Sequence, residues 1–176
     1  MTELTEFRQA KDDFFKTDEH SPLLADQKRN FKGLNYFPEN PDLVFEIKVE
    51  LFPEIEEIPI QTSSGDTQIY NRYGLLQFDV NGQKVSLTIY EGEADYFLPF
   101  VDRLAGKETY AAGRYLDPVP LGGNRFLIDF NYAYNPYCAY NENWSCPLTP
   151  FENHLPVEIR AGEKLYAIHN HSEGKR

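Results

Sequence analysis

Residues 73–90, YGLLQFDVNGQKVSLTIY, decide the fold. Asn81-Gly82 supplies the two residues that best accept positive φ in a type I′ turn, and both flanking arms alternate with period two. Leu76, Phe78 and Val80 on one arm, and Val85, Leu87 and Ile89 on the other, therefore share a face. This is an antiparallel hairpin with one side buried. Upstream, LVFEIKVELF sets Leu43, Phe45, Ile47, Val49 and Leu51 against Glu46, Lys48 and Glu50, which predicts another half-buried strand. Downstream, Leu121-Gly122-Gly123-Asn124 predicts a hairpin joining 111–116 to 125–134. A last one is expected from Val157 and Ile159 through a turn at Ala161-Gly162-Glu163 to Leu165–Ile168.

The chain begins differently. In ELTEFRQAKDDFFK, residues 3–16, the positions Leu4, Phe7, Lys11 and Phe14 fall at helical spacing, with the Lys11 stem lying along the apolar stripe. Ser21-Pro22 offers an N-cap followed by proline at the first helical position, so 22–30 is predicted as a short helix that Gly33 ends. The expected organisation is a helical segment 1–32 packed on one mainly-β domain 33–168, with 169–176 a frayed tail. One or two helices followed by seven to nine strands, with no helices between them, predict an antiparallel β-barrel or sandwich. A doubly wound parallel sheet is excluded, because its crossovers need interleaved helices.

A net charge of −11, with 17 basic residues dispersed among 28 acidic ones, excludes nucleic acid as a partner, since a binder gathers Lys and Arg on one face. An anionic membrane surface is disfavoured for the same reason, and no apolar run is long enough to span a bilayer. The opening MTELTEFRQAKDD has neither a basic nor an apolar signal region, which predicts a cytoplasmic address and reduced thiols.

Chemistry concentrates in 135–147, NPYCAYNENWSCP, which holds both cysteines and the single tryptophan. Pro136, Pro147 and Pro150 keep 135–150 from continuing as strand or helix. The expectation is an ordered, largely buried loop with Trp144 packed inside it. Several readings of Cys138 and Cys146 stand side by side. They are small buried apolar groups; or they close a disulfide stabilising by about 2.5 kcal/mol on the loop-entropy argument; or one is a nucleophile with His154 as base. A C-x7-C-x7-H series with His154, completed by Asp129, imposes no ligand geometry, so neither metal nor cofactor is predicted. In RFLIDFNYAY, residues 125–134, aromatic side chains occupy one face, and Asp129 and Asn131 the other. That polar face either meets water or lines a lumen where both anchor a ligand. Arg114, in AAGRYLDP, is suited to clamp a carboxylate, with a surface ion pair as the expected use.

GKETYAAGRYLDP, IDFNYAYNPYCAY and CPLTPFENHLPVEIRAGEK, together with SPLLADQKRNFKGLNYFP and the hairpin above, resemble the bacterial family catalogued as domain of unknown function 1684. The resemblance implies a stand-alone, mainly-β module. It marks Arg114, Tyr115, Asp129, Asn131, Asn135, Pro136, Cys138, Cys146, Pro147, Glu152 and Asn153 as the family's signature. It implies no reaction. His154 falls where other members carry a different residue, and some relatives look like exported lipoproteins. Three functions follow as expectations. The first is a module binding a small polar ligand in a pocket beside the Cys138–Cys146 loop, through Arg114, Tyr115, Asp129, Asn131, Asn135, Glu152 and Asn153. The others are a thiol-dependent or redox-linked enzyme, and an interaction protein using the aromatic loop 134–146.

Overall fold

In the computed structural model, which describes residues 1–166, two helices precede the strands. Helix α1 (Glu3–Thr17) is capped by Thr2, whose hydroxyl accepts from Thr5 N at 3.1 Å, with Glu3 and Glu6 in the first turn and Lys16 in the last. Its buried face carries Leu4 and Phe15, with Lys11 and Phe14 half-buried as the spacing predicts; Phe7, expected on the same stripe, is exposed. Helix α2 (Ala25–Asn30) starts later than predicted. The Ser21 hydroxyl does not cap it: it donates to Phe15 O at 2.6 Å and accepts from Leu23 N at 3.2 Å, bending the chain before the helix.

The strands are β1 (Val44–Lys48), β2 (Glu50–Gln61), β3 (Thr67–Val80), β4 (Gln83–Glu91), β5 (Tyr96–Phe100), β6 (Arg114–Leu116), β7 (Val119–Gly122) and β8 (Arg125–Asp129). They form two antiparallel sheets, β2-β3-β4-β5-β6 and β1-β8-β7. Neither sheet closes on itself, so the fold is a sandwich and not a barrel. One core joins them, with Leu76, Phe78, Leu87 and Ile89 from the larger sheet against Phe126 and Ile128 of the smaller and Phe130 just beyond it. The Asn81-Gly82 turn forms as expected at φ 50° and 84°, and all six hairpin residues picked from the alternation are buried.

Elsewhere the pattern is redirected. The alternation of 43–51 crosses a break at Val49, where the chain leaves the smaller sheet and enters the larger as β2. The glycine turn at 122–123 joins β7, not 111–116, to β8; β6 belongs to the other sheet. The strand expected over 125–134 stops at Asp129, because the Asp129 carboxylate accepts from Asn131 N at 2.9 Å and winds Phe130–Tyr132 into a 3-10 turn. In place of the expected closing hairpin, the described residues form an irregular segment whose Leu155, Val157, Ile159 and Ala161 are buried in alternation, and Ala167 and Ile168 of the expected second arm lie outside the described residues. The tail expected at 169–176 lies outside the described residues. Among those described, no helix is long and apolar enough to cross a membrane.

Candidate functional site

The proline-rich loop crosses from the sandwich to the β2–β3 turn and is stitched there by backbone. Ser63 N donates to Cys146 O at 2.9 Å and Leu148 N to Gln61 O at 2.8 Å. Pro136 starts a 3-10 turn, Tyr137–Ala139, that carries Cys138. The Ser63 hydroxyl ties the two cysteine positions together: its Oγ lies 3.2 Å from Cys138 Sγ and accepts from Cys146 N at 3.1 Å. The Cys138 thiol donates to Trp144 O at 3.0 Å. Both cysteines are free, Cys138 half-buried and Cys146 buried. The Cys146 thiol is pushed up to about 12, chiefly by burial and then by the adjoining Cys138 thiol.

Aromatic rings fix the loop over α1. Tyr140 meets Phe15 edge-on at 5.0 Å, and Tyr137 meets Trp144 at 5.1 Å. Trp144 is nevertheless 38% exposed, contrary to the burial expected of it. Its Nε1 donates to Pro22 O at 3.3 Å, which holds the indole at the rim and not underneath. Between residues 21–24 and Asn141, Asn143 and Trp144 lies a depression of about 200 Å³. A wider, shallow one of about 470 Å³ lies among Leu34–Tyr36, Lys107, Glu108, Lys164 and Leu165. No signature residue lines either.

Those residues do other work. Arg114, expected in a surface ion pair, is only 1% exposed. Its guanidinium donates to Ile159 O at 2.8 Å, Glu163 O at 3.1 Å and Ala161 O, with Asp102 Oδ2 at 3.4 Å. It thereby pins the irregular C-terminal segment by three of its carbonyls, while those of Val157 and Gly162 accept from the backbone of Arg103 and Phe37. Burial pushes Arg114 down and Asp102 up. Asn153, fully buried, accepts from Thr88 N and donates to Thr88 O and Pro99 O, each at 2.8 Å, and so spans β4 and β5. Asn131 pairs with both backbone groups of Asn40 at 2.8 and 3.0 Å. Asp129 accepts from the Asn131 amide at 2.9 Å, so the two face each other and no lumen. Asn135 N donates to Glu163 at 2.9 Å. Tyr115 donates to Pro147 O. Glu152 takes a forked pair from Arg72 at 3.1 and 2.8 Å and a hydrogen bond from Tyr90. Burial works to raise its carboxyl, but these donors outweigh it and hold it below the usual range.

His154 is exposed and stacks on Phe151 at 4.9 Å. Among the described residues no group of three or more His, Cys, Asp or Glu side chains converges, so the C-x7-C-x7-H series does not gather. Two contributors escaped the sequence. Ser63 sits in a polar turn with no motif. Glu163, buried beneath α1, accepts from Lys11, from Tyr140 OH at 2.7 Å and from Asn135 N. Its place in a turn beside Gly162 gave no hint of burial.

A family described as protein of unknown function (DUF1684) matches residues 29–164. Among solved structures, the chain is similar to an uncharacterized protein of Haloarcula marismortui determined by solution NMR, at 33% identity over 94% of both chains and a TM-score of 0.73. No curated protein matches.

Proposed function

The chain belongs to the DUF1684 family, and from that premise we propose that it is a small-molecule-binding module whose site is the depression between residues 21–24 and the Cys138–Cys146 loop. Trp144 carries the reading. The chain's one indole stands 38% exposed at the rim of a concave surface. Beside it the Asn143 side-chain amide makes no hydrogen bond among the described residues, while the Asn141 amide is committed to Pro22 O. An aromatic wall with a free amide suits a neutral, hydroxyl-rich ring that presents one apolar face. A volume near 200 Å³ suits one such ring and little more. The signature residues support the module by holding its frame. A cytoplasmic location is part of the proposal, in keeping with two unpaired thiols.

Titration with monosaccharides and small polar acids, followed by tryptophan emission and thermal unfolding, tests it. A saturable emission change accompanied by a rise in Tm is expected for at least one hydroxylated ring, and its loss in Trp144→Ala. A panel that moves neither signal sinks the idea.

A further inference from the structure

We propose that Cys138 and Cys146 form a reactive dithiol that reduces small organic disulfides and closes into an intramolecular disulfide across the loop. The inference does not depend on the ligand site. Three observations carry it. One hydroxyl, Ser63 Oγ, holds Cys138 Sγ at 3.2 Å and Cys146 N at 3.1 Å, so both cysteines are fixed to a single point. The Cys138 thiol reaches Trp144 O at 3.0 Å, two residues before Cys146. Tyr140 stays packed on Phe15, but Glu142, Asn143, Trp144 and Ser145 are all exposed, so the arm leading to Cys146 can move toward Cys138 without breaking core packing.

Exposure assigns the roles. Cys138, half-buried, is the thiol that a solution disulfide reaches; Cys146, buried, is not. Cys138 loses its proton and its sulfur attacks one sulfur of R–S–S–R. The Cys138–S–R bond forms, the R–S–S–R bond breaks, and the departing thiolate takes a proton to give RSH. Cys146 then loses its proton and attacks the Cys138 sulfur. The Cys146–Cys138 bond forms, the Cys138–S–R bond breaks, and a second RSH leaves. The protein dithiol is oxidised by two electrons, and one disulfide is reduced to two thiols. Burial opposes ionisation of Cys146, so the second step is the slower one at neutral pH and accelerates as the solution becomes alkaline. The cost of closure is the hydrogen bond from the Cys138 thiol to Trp144 O.

The test uses the reduced full chain with oxidised glutathione at neutral and mildly alkaline pH, read by intact mass and thiol titration. The wild type should lose two hydrogens in mass and both titratable thiols, and dithiothreitol should restore them. Cys146→Ser should stop at one glutathione adduct, and Cys138→Ser should react at least about tenfold more slowly than wild type. Should the serine variants fail to fold, phenylarsine oxide on the wild type decides, because it bridges only adjacent thiols; one equivalent consuming both thiols supports the proposal. Both thiols remaining titratable in the native chain while reacting in denaturant would overturn it. Adducts that never resolve, or dimers linked through Cys138, would do the same.

Discussion

Asn153 acts as a rung of strand in a place where the backbone supplies none. Its amide meets Thr88 N, Thr88 O and Pro99 O at 2.8 Å in a fully buried site. Truncation therefore strands three backbone groups away from water. Asn153→Ala is expected to cost about 3 kcal/mol or more. Asn153→Asp should be comparably damaging, since a carboxylate cannot donate to the two carbonyls. Urea unfolding measures both, and a loss below about 1 kcal/mol in either would contradict the peg. The residue's chemical type was legible in the sequence, but its use was not. A polar group set among aromatics is the make-up of a ligand anchor and of a buried peg alike, and only the partner tells them apart. The partners of Asn153 lie 65 and 54 residues away. Arg114 misleads in the same way, because its carbonyl partners lie 45 to 49 residues downstream.

At the scale of elements, legibility follows how local the deciding interaction is. The β3–β4 hairpin is written in its own turn, since Asn81 and Gly82 meet the φ demands with no help from elsewhere. The end of β8 is hidden, because apolar alternation runs on through Tyr134 while the Asp129 carboxylate has already turned the backbone. The C-terminal segment is hidden further, for its course depends on contacts with residues 130–133. Gly162 shows how close that contact is. At φ +79°, a Cβ there would sit 2.7 Å from Ala133 O and 2.8 Å from Phe130 O. Gly162→Ala should cost about 2 kcal/mol or more, as backbone strain and a clash add. Gly65→Ala provides the control. Its φ of +92° brings similar strain, but nothing lies within 4 Å of the added methyl. Calorimetric Tm values should thus fall further for Gly162→Ala than for Gly65→Ala. Equal shifts would mean that the close approach of 162 to 130–133 contributes nothing.

Across the whole molecule, aromatic hydroxyls buried against carboxylates and carbonyls set the response to alkali. Burial is the largest cause that raises Tyr90, Tyr115, Tyr134 and Tyr140 above the ordinary phenol value, and it also brings Cys146 up to about 12. These groups keep their protons in the folded chain after the unfolded chain has released them. Between the unfolded and folded values the native state binds more protons, so stability falls as pH rises. It should hold steady from neutrality to about 8.5, where an unfolded cysteine begins to ionise, and fall more steeply beyond about 10, where unfolded tyrosines follow. Each group whose proton is retained adds a slope of up to about 1.4 kcal/mol per pH unit. The net charge of −11 adds repulsion of the same sign, and salt separates the two contributions. Added salt screens the repulsion between exposed charges but leaves the desolvation of buried hydroxyls in place. Urea midpoints measured against pH, with tyrosinate absorbance followed in parallel, should show an alkaline decline that persists at high salt. The last tyrosinate to form, that of Tyr90, Tyr115, Tyr134 and Tyr140, should appear together with unfolding and not before it. Full ionisation of the tyrosines in a chain that still keeps its native urea midpoint would show that these rings are open to water, and the packing of loop 135–150 over α1 and the larger sheet would have to be redrawn.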